Sequence, residues 1–254
     1  VAYPYTDRPE DIEAAKKVYF GFYNPIDNWT WNVSWFSDPV FLGHYPEEGL
    51  KKFAPYLPEI TQEDMELIYQ PLDFMGQNIY NGYYVRAGAD GEPEFVDRAP
   101  GFPKTGSDWP VTPEAFYYGI KFLTERYPLP LYITENGMSC HDLVSSDGRV
   151  HDPNRITFLD SYIGAMQKAY DEGANVAGYF LWTFLDNFEW ADGAAVWHCL
   201  CGFCKPEADC EGFRFLVSEN NRDEWKDVDN ESDNKRNLIF RSGVHAQYLG
   251  RYPA

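Results

Sequence analysis

The stretch that most constrains this chain is Leu129-Pro130-Leu131-Tyr132-Ile133-Thr134-Glu135-Asn136-Gly137. A short apolar run ends abruptly in a carboxylate, an amide and a glycine. Tyr132, Ile133 and Thr134 favour a pleated strand, and Asn136-Gly137 is a turn dipeptide. Glu135 therefore sits where a buried strand opens into a loop, the position at which α/β barrels carry their catalytic groups. The pattern alone equally allows a strand-end glutamate that caps a helix or pairs with a lysine.

A second segment bears on that choice: Gly178-Tyr179-Phe180-Leu181-Trp182-Thr183-Phe184-Leu185-Asp186-Asn187-Phe188-Glu189-Trp190-Ala191. The first stretch resembles the I-T-E-N-G motif of glycoside hydrolase family 1, the β-glucosidase and β-galactosidase family, whose Glu is the catalytic nucleophile. The second is similar to that family's sugar-binding segment after the last barrel strand. The resemblance runs from the first residues to about Gly193. It implies an α/β fold: the C-terminal half of a (β/α)8 TIM barrel, incomplete, with an irregular or disordered tail.

At 254 residues the chain has about the length of a complete barrel, yet the elements say otherwise. Pro9 to about Phe20 reads as a helix, with Pro9 in the first turn and Glu10, Asp11 and Glu13 favourably placed for the helix dipole. Trp29, Trp31 and Trp35 follow, and the segment from Trp35 to Glu47 resembles the family's segment between barrel strands five and six, with packing as the role of most of these aromatics. Thr61-Gln62-Glu63-Asp64 starts a capped helix through Tyr69. Leu72 to Tyr80 reads as a strand with a polar exit. Ala87 to Ser107 is rich in Gly, Pro and Asp and reads as a loop. Thr112-Pro113-Glu114 caps a helix to about Tyr127, with Phe116, Ile120 and Phe122 as its apolar face. Asp152-Pro153 starts another, with Ile156, Leu159, Ile163 and Met166 at helical spacing and Gly173 at its end. Val176 to Trp182 is the last strand. The resemblance makes the strands at Leu72, Leu129 and Val176 the sixth, seventh and eighth, so the chain begins in the loop after the fifth.

The resemblance implies roles residue by residue. Glu135 would be the nucleophile. Asn78 and Tyr80 match the family's N-x-Y, whose tyrosine donates to the nucleophile; such a donor keeps a carboxylate charged and oriented. Trp109 would lie near the leaving-group side of the cleft. Glu189 and Trp190 resemble the pair that grips the non-reducing sugar, and Trp182 and Trp190 offer flat faces to a sugar ring. Trp182 could equally be core, and Asp186 and Asn187 could only hold the loop. Relatives acting on 6-phosphorylated sugars lack an acid at the position of Glu189, so a neutral β-glucoside or β-galactoside is expected. The T-x-N-E-P segment that carries the acid/base Glu is absent, and Asn-Glu-Pro occurs nowhere in the sequence. Little or no activity is therefore expected of the chain alone, with a separate chain supplying a missing N-terminal half, or self-association through unpaired edges, as further expectations.

With 21 Lys and Arg against 40 Asp and Glu, the net charge is −19, which argues against nucleic acid and anionic membranes as partners. A small carbohydrate is the expected partner, with no cofactor. The chain opens on no signal peptide and holds no apolar run near the length of a membrane span, giving a cytoplasmic expectation.

After Gly193 the family pattern stops. Four of the five cysteines, Cys199, Cys201, Cys204 and Cys210, crowd together, but their spacing lacks the paired CxxC of common zinc sites. Reading the possible codons of Val196 to Arg214 one nucleotide later permits F-G-I-V-Y-V-D-F-A-N-Q-K-R-T-V-K-D-S, close to the family's continuation. Residues 1–193 are thus expected to form the partial barrel. Residues 194–254 are expected to be a frameshifted tail and no domain, with no metal site. A non-catalytic sugar-binding remnant and a zinc module at Cys199–Cys210 are the alternatives.

Overall fold

The structure is a computed structural model that describes residues 1–22, 32–140, 144–183 and 190, together with the backbone of 237–239 and 245–247. Three strands, β2 (Met75–Asn78), β5 (Leu131–Asn136) and β6 (Val176–Leu181), form one parallel sheet in chain order. These are the three strands expected from the sequence. Between them in the chain lie α5 (Pro113–Arg126) and α6 (Pro153–Asp171), which pack on each other. Met75, Leu131, Ile133 and Val176 share one buried cluster with Phe116, Ile120, Phe122 and Leu123 of α5 and Phe158, Leu159, Tyr162 and Met166 of α6. Burying each large apolar side chain contributes about 1.5–3 kcal/mol, so this cluster fixes the strands against the helices.

The buried face of α6 holds Leu159 and Met166, as their spacing predicts, but is centred elsewhere. Arg155, Phe158 and Tyr162 are also buried while Ile156 and Ile163 are half-buried. Two aromatic rings and an arginine hold that face: Phe158 and Tyr162 stack at 3.9 Å, and Arg155 donates to the Met138 carbonyl at 3.0 Å. Both expected proline-led helix starts are present, but neither Thr112 nor Asp152 makes a side-chain cap. Asp152 pairs with Arg155 at 2.7 Å instead. Thr61 does form the expected reciprocal box with Asp64 at the start of α4 (Gln62–Ile68).

A second sheet was missed at sequence level. β1 (Ala2–Pro4) pairs parallel with β3 (Tyr83–Ala87), which pairs antiparallel with β4 (Pro93–Val96) inside the stretch expected to be a loop. Gly91, at φ 83°, turns the hairpin. The Gly, Pro and Asp content marked that turn and masked the short strands beside it. α1 (Pro9–Phe20) packs across β1 and β3, and its buried Asp11 accepts from the Ala87 N–H at 2.9 Å and from Arg8 at 3.0 Å. α3 spans Glu47–Phe53, and α2 (Val33–Phe41) contains Pro39 and buries Trp35, which packs with Phe22 and Phe53 in the role expected of it, whereas Trp29 and Trp31 lie outside the described residues. Its Asp38 receives two bonds from Arg126 and one from Tyr127, tying α2 to the end of α5.

In the segment expected to be irregular, β7 (Asn237–Ile239) and β8 (His245–Gln247) pair antiparallel. Among the described residues no helix is long and apolar enough to cross a membrane, and no group of His, Cys, Asp and Glu is arranged to hold a metal ion. Cys199, Cys201, Cys204 and Cys210 lie outside the described residues.

Candidate active site

The parallel pairing of β2 with β5 sets Asn78 opposite Glu135, after a register shift between Gln77 and Asn78. The two strands therefore end side by side and release their polar residues at one place. Backbone bonds latch the exits together: the Ile79 N–H donates to the Glu135 carbonyl at 3.0 Å. The buried Asn136 side chain donates back to the Ile79 carbonyl at 2.8 Å and accepts from the Tyr179 hydroxyl of β6 at 2.9 Å. Burial pushes the Tyr179 phenol well above its ordinary pKa, which keeps it a donor.

On this base the Tyr80 hydroxyl donates to Glu135 Oε2 at 2.9 Å. Glu135 and Tyr80 are half-buried. That bond fixes the direction of the carboxylate. Tyr80 is held in turn from behind. The Tyr162 hydroxyl donates to the Tyr80 carbonyl at 2.9 Å and accepts the Thr112 N–H at 2.7 Å. Burial pushes Tyr162 up to about 12, so it stays neutral. Asn78 Oδ1 accepts from the Thr134 hydroxyl at 2.6 Å.

Trp109 stands edge-on to Tyr80, with ring centroids 5.2 Å apart. Its loop is fastened to the segment after β5, because the Gly106 N–H donates to the Ser139 carbonyl at 2.8 Å and the Ser107 N–H to Ser139 Oγ at 2.9 Å. Trp182 reaches the same strand end through its N–H, which donates to the Asn136 carbonyl at 2.9 Å. A Cβ on Gly137 would collide with the Trp182 carbonyl oxygen, so the glycine after Glu135-Asn136 is required by this approach. The peptide bond from Trp182 to Thr183 is cis.

The structure thus gathers Glu135, Tyr80, Asn78, Trp109 and Trp182 at the ends of parallel strands. Trp190 is 91% exposed, and Glu189, Asp186 and Asn187 lie outside the described residues. Asn136, Tyr162 and Tyr179 escaped the sequence reading. Asn136 was seen only as a turn residue, and a tyrosine at a buried helical position reads as packing.

The site thus presents a half-buried carboxylate aimed by a phenol at a strand end, and comparison with known proteins settles the kinship. The family model for glycosyl hydrolase family 1 matches residues 1–201. This chain belongs to glycosyl hydrolase family 1. Among the relatives, β-glucosidase A of Thermotoga maritima is 42% identical over 193 residues, covering 75% of this chain and 41% of that protein. A 1,4-β-D-glucan glucohydrolase of Thermotoga neapolitana is 39% identical, covering 75% and 43%. The solved structure of a Thermotoga maritima β-glucosidase in complex with glucoimidazole superposes with TM-score 0.62 at 39% identity, over 79% of this chain and 44% of that one. The same enzyme in complex with isofagomine lactam gives 0.62 over 78% and 43%. The family 1 chain therefore spans less than half the length of these relatives, and its β2-β5-β6 sheet with α5 and α6 is part of a (β/α)8 barrel.

Proposed function

We propose that this chain carries the nucleophile half of a retaining β-glucosidase site. Glu135 attacks the anomeric carbon of a neutral β-glucoside or β-galactoside and forms a glycosyl-enzyme. Tyr80 holds the carboxylate aimed. Asn78 lines the cleft, Trp109 borders the leaving-group side, and Trp182, Glu189 and Trp190 receive the sugar. The observation that carries this reading is the 2.9 Å bond from Tyr80 to Glu135 at adjoining strand ends. The relatives named as β-glucosidases and a glucan glucohydrolase support the substrate class.

A retaining glycosidase needs a second carboxyl group about 5–5.5 Å from the first to protonate the leaving oxygen. The sequence holds no Asn-Glu-Pro to supply it, so the chain alone completes little or no turnover. That same absence is the observation behind a second reading, a non-catalytic sugar-binding remnant.

The readings separate on a dinitrophenyl β-glucoside, whose leaving group departs without protonation. The nucleophile reading expects a burst of dinitrophenolate approaching one equivalent, then near-zero turnover, and no burst from Glu135→Gln. A burst that survives Glu135→Gln would contradict it. Saturable sugar binding with no burst would favour the second reading.

We also propose that residues 194–254 derive from a frameshift near Gly193–Val196. The in-family residues recovered by reading one nucleotide later support it. A clean single-frame read of the coding DNA across that point would end the idea.

A further inference from the structure

The pairing of β2 with β5 ends at Asn78, and one further backbone bond, from the Ile79 N–H to the Glu135 carbonyl, follows it. Tyr80 comes next and lies outside the strand. Strand pairing therefore does not by itself fix the residue whose hydroxyl meets Glu135 Oε2 at 2.9 Å. The two peptide carbonyls that flank Tyr80 are held instead by side chains from elsewhere in the chain. Asn136 donates to the Ile79 carbonyl at 2.8 Å, and the Tyr162 hydroxyl donates to the Tyr80 carbonyl at 2.9 Å. A residue has only two soft backbone dihedrals. Anchoring the peptide plane on each side of Tyr80 thus sets the direction in which its side chain leaves the backbone.

Tyr162 is suited to be one of those anchors. It belongs to α6, 82 residues from Tyr80 in the chain, and is fully buried. Its ring stacks on Phe158 at 3.9 Å and lies 5.4 Å from that of Phe116 on α5. Its oxygen accepts the Thr112 N–H at 2.7 Å. Both partners have fixed polarity, because a peptide N–H only donates and a carbonyl only accepts. The Tyr162 proton is thereby committed to the Tyr80 carbonyl.

From this we infer that Tyr162 is a positioning residue for the nucleophile, gripping the Tyr80 peptide from α6 so that the Tyr80 hydroxyl meets Glu135. The inference rests on the β-glucosidase reading for its kinetic consequence, while the bond from Tyr80 to Glu135 is read without turnover. Misplacing a reacting group by about 1 Å can cost on the order of 100-fold in rate. A hydroxyl that only satisfied the buried Thr112 amide would affect stability and leave the aim of Glu135 unchanged.

The test compares the full chain with Tyr162→Phe, both carrying tyrosine labelled with carbon-13 at Cζ. The Tyr80 signal is identified by its loss in Tyr80→Phe. In the parent chain it should shift when Glu135→Gln replaces the carboxylate acceptor. In Tyr162→Phe it should move from the parent position and lose its response to Glu135→Gln, with unchanged circular dichroism. The dinitrophenolate burst should slow about tenfold or more, while the glucoside concentration at half-maximal rate stays within about twofold. In a Tyr80→Phe background, adding Tyr162→Phe should slow the burst by less than about twofold, because both changes act through one hydroxyl. Tyr127→Phe removes another buried hydroxyl, bonded to Asp38 at 2.7 Å, and should alter neither readout. Phe158→Leu removes the stacked ring, keeps the Tyr162 hydroxyl and should move the Tyr80 signal in the same direction as Tyr162→Phe. A Tyr80 signal that stays at the parent position in folded Tyr162→Phe and still responds to Glu135→Gln would overturn the inference. So would full additivity of the two phenylalanine substitutions. Should Tyr162→Phe not fold, an unmoved Tyr80 signal in Phe158→Leu overturns it. A parent chain without a burst whose Tyr80 signal behaves as expected would contradict the nucleophile reading and still support the placement of Tyr80 by Tyr162.

Discussion

At the scale of single residues, the site depends on short polar bonds that direct side chains already positioned by strands. Removing the Tyr80 hydroxyl leaves Glu135 without its 2.9 Å donor. A hydrogen bond to a charged group is worth about 1.5–3 kcal/mol. Tyr80→Phe should therefore slow the dinitrophenolate burst by about 10- to 100-fold while the fold is unchanged, measured by stopped flow and circular dichroism. Asn136 is buried and bonded to both Ile79 and Tyr179. Asn136→Ala strands a carbonyl and a hydroxyl, and should lower stability by about 1–3 kcal/mol in urea denaturation. Glu135, Asn78 and Tyr80 were legible in the sequence because an apolar strand ending in polar residues is a local pattern and because their segments resemble the family's I-T-E-N-G and N-x-Y motifs. Asn136 and Tyr162 were not. Their partners, Ile79, Tyr80 and Thr112, are distant in the chain, and only the packed sheet brings them together.

At the scale of elements, the strands β2, β5 and β6 and the helices α5 and α6 were readable from period and flanking prolines. The β3–β4 hairpin was not, because its strands are short and lie in a turn-rich stretch whose support, α1 and β1, comes from the start of the chain. Asp11 carries that support. Desolvation raises its pKa, but bonds from Thr6, the Ala87 N–H and Arg8 outweigh it and hold the carboxyl below the usual range. A depressed folded-state pKa means the stabilisation is full above the ordinary carboxylate pKa and is lost as pH falls through the lowered value. Asp11→Asn should lower stability at neutral pH and flatten the acid limb of a stability-against-pH curve. An unchanged acid limb would show that Asp11 does not link α1 to β3. Close packing also limits β6. A Cβ on Gly178 would meet the Tyr132 ring at 2.5 Å, so Gly178→Ala should cost about 1–3 kcal/mol by overpacking, read as a lower thermal midpoint.

At the scale of the whole molecule, family 1 membership and a three-stranded parallel sheet under α5 and α6 describe part of a (β/α)8 barrel. In the proposed reading that part carries one of the two carboxylates a retaining glycosidase uses. Trp190 stands exposed, and the sequence could not foresee this because the motif reports the segment and not its exposure. The central claim is that Glu135 is the group that bonds to the sugar. A 2-deoxy-2-fluoro-β-glucoside with a dinitrophenyl leaving group forms a glycosyl-enzyme that resists hydrolysis. Peptide mass spectrometry of the chain after that treatment should find one fluoroglucosyl group, on Glu135. A label on any other carboxylate, or equal labelling of Glu135→Gln, would contradict the account.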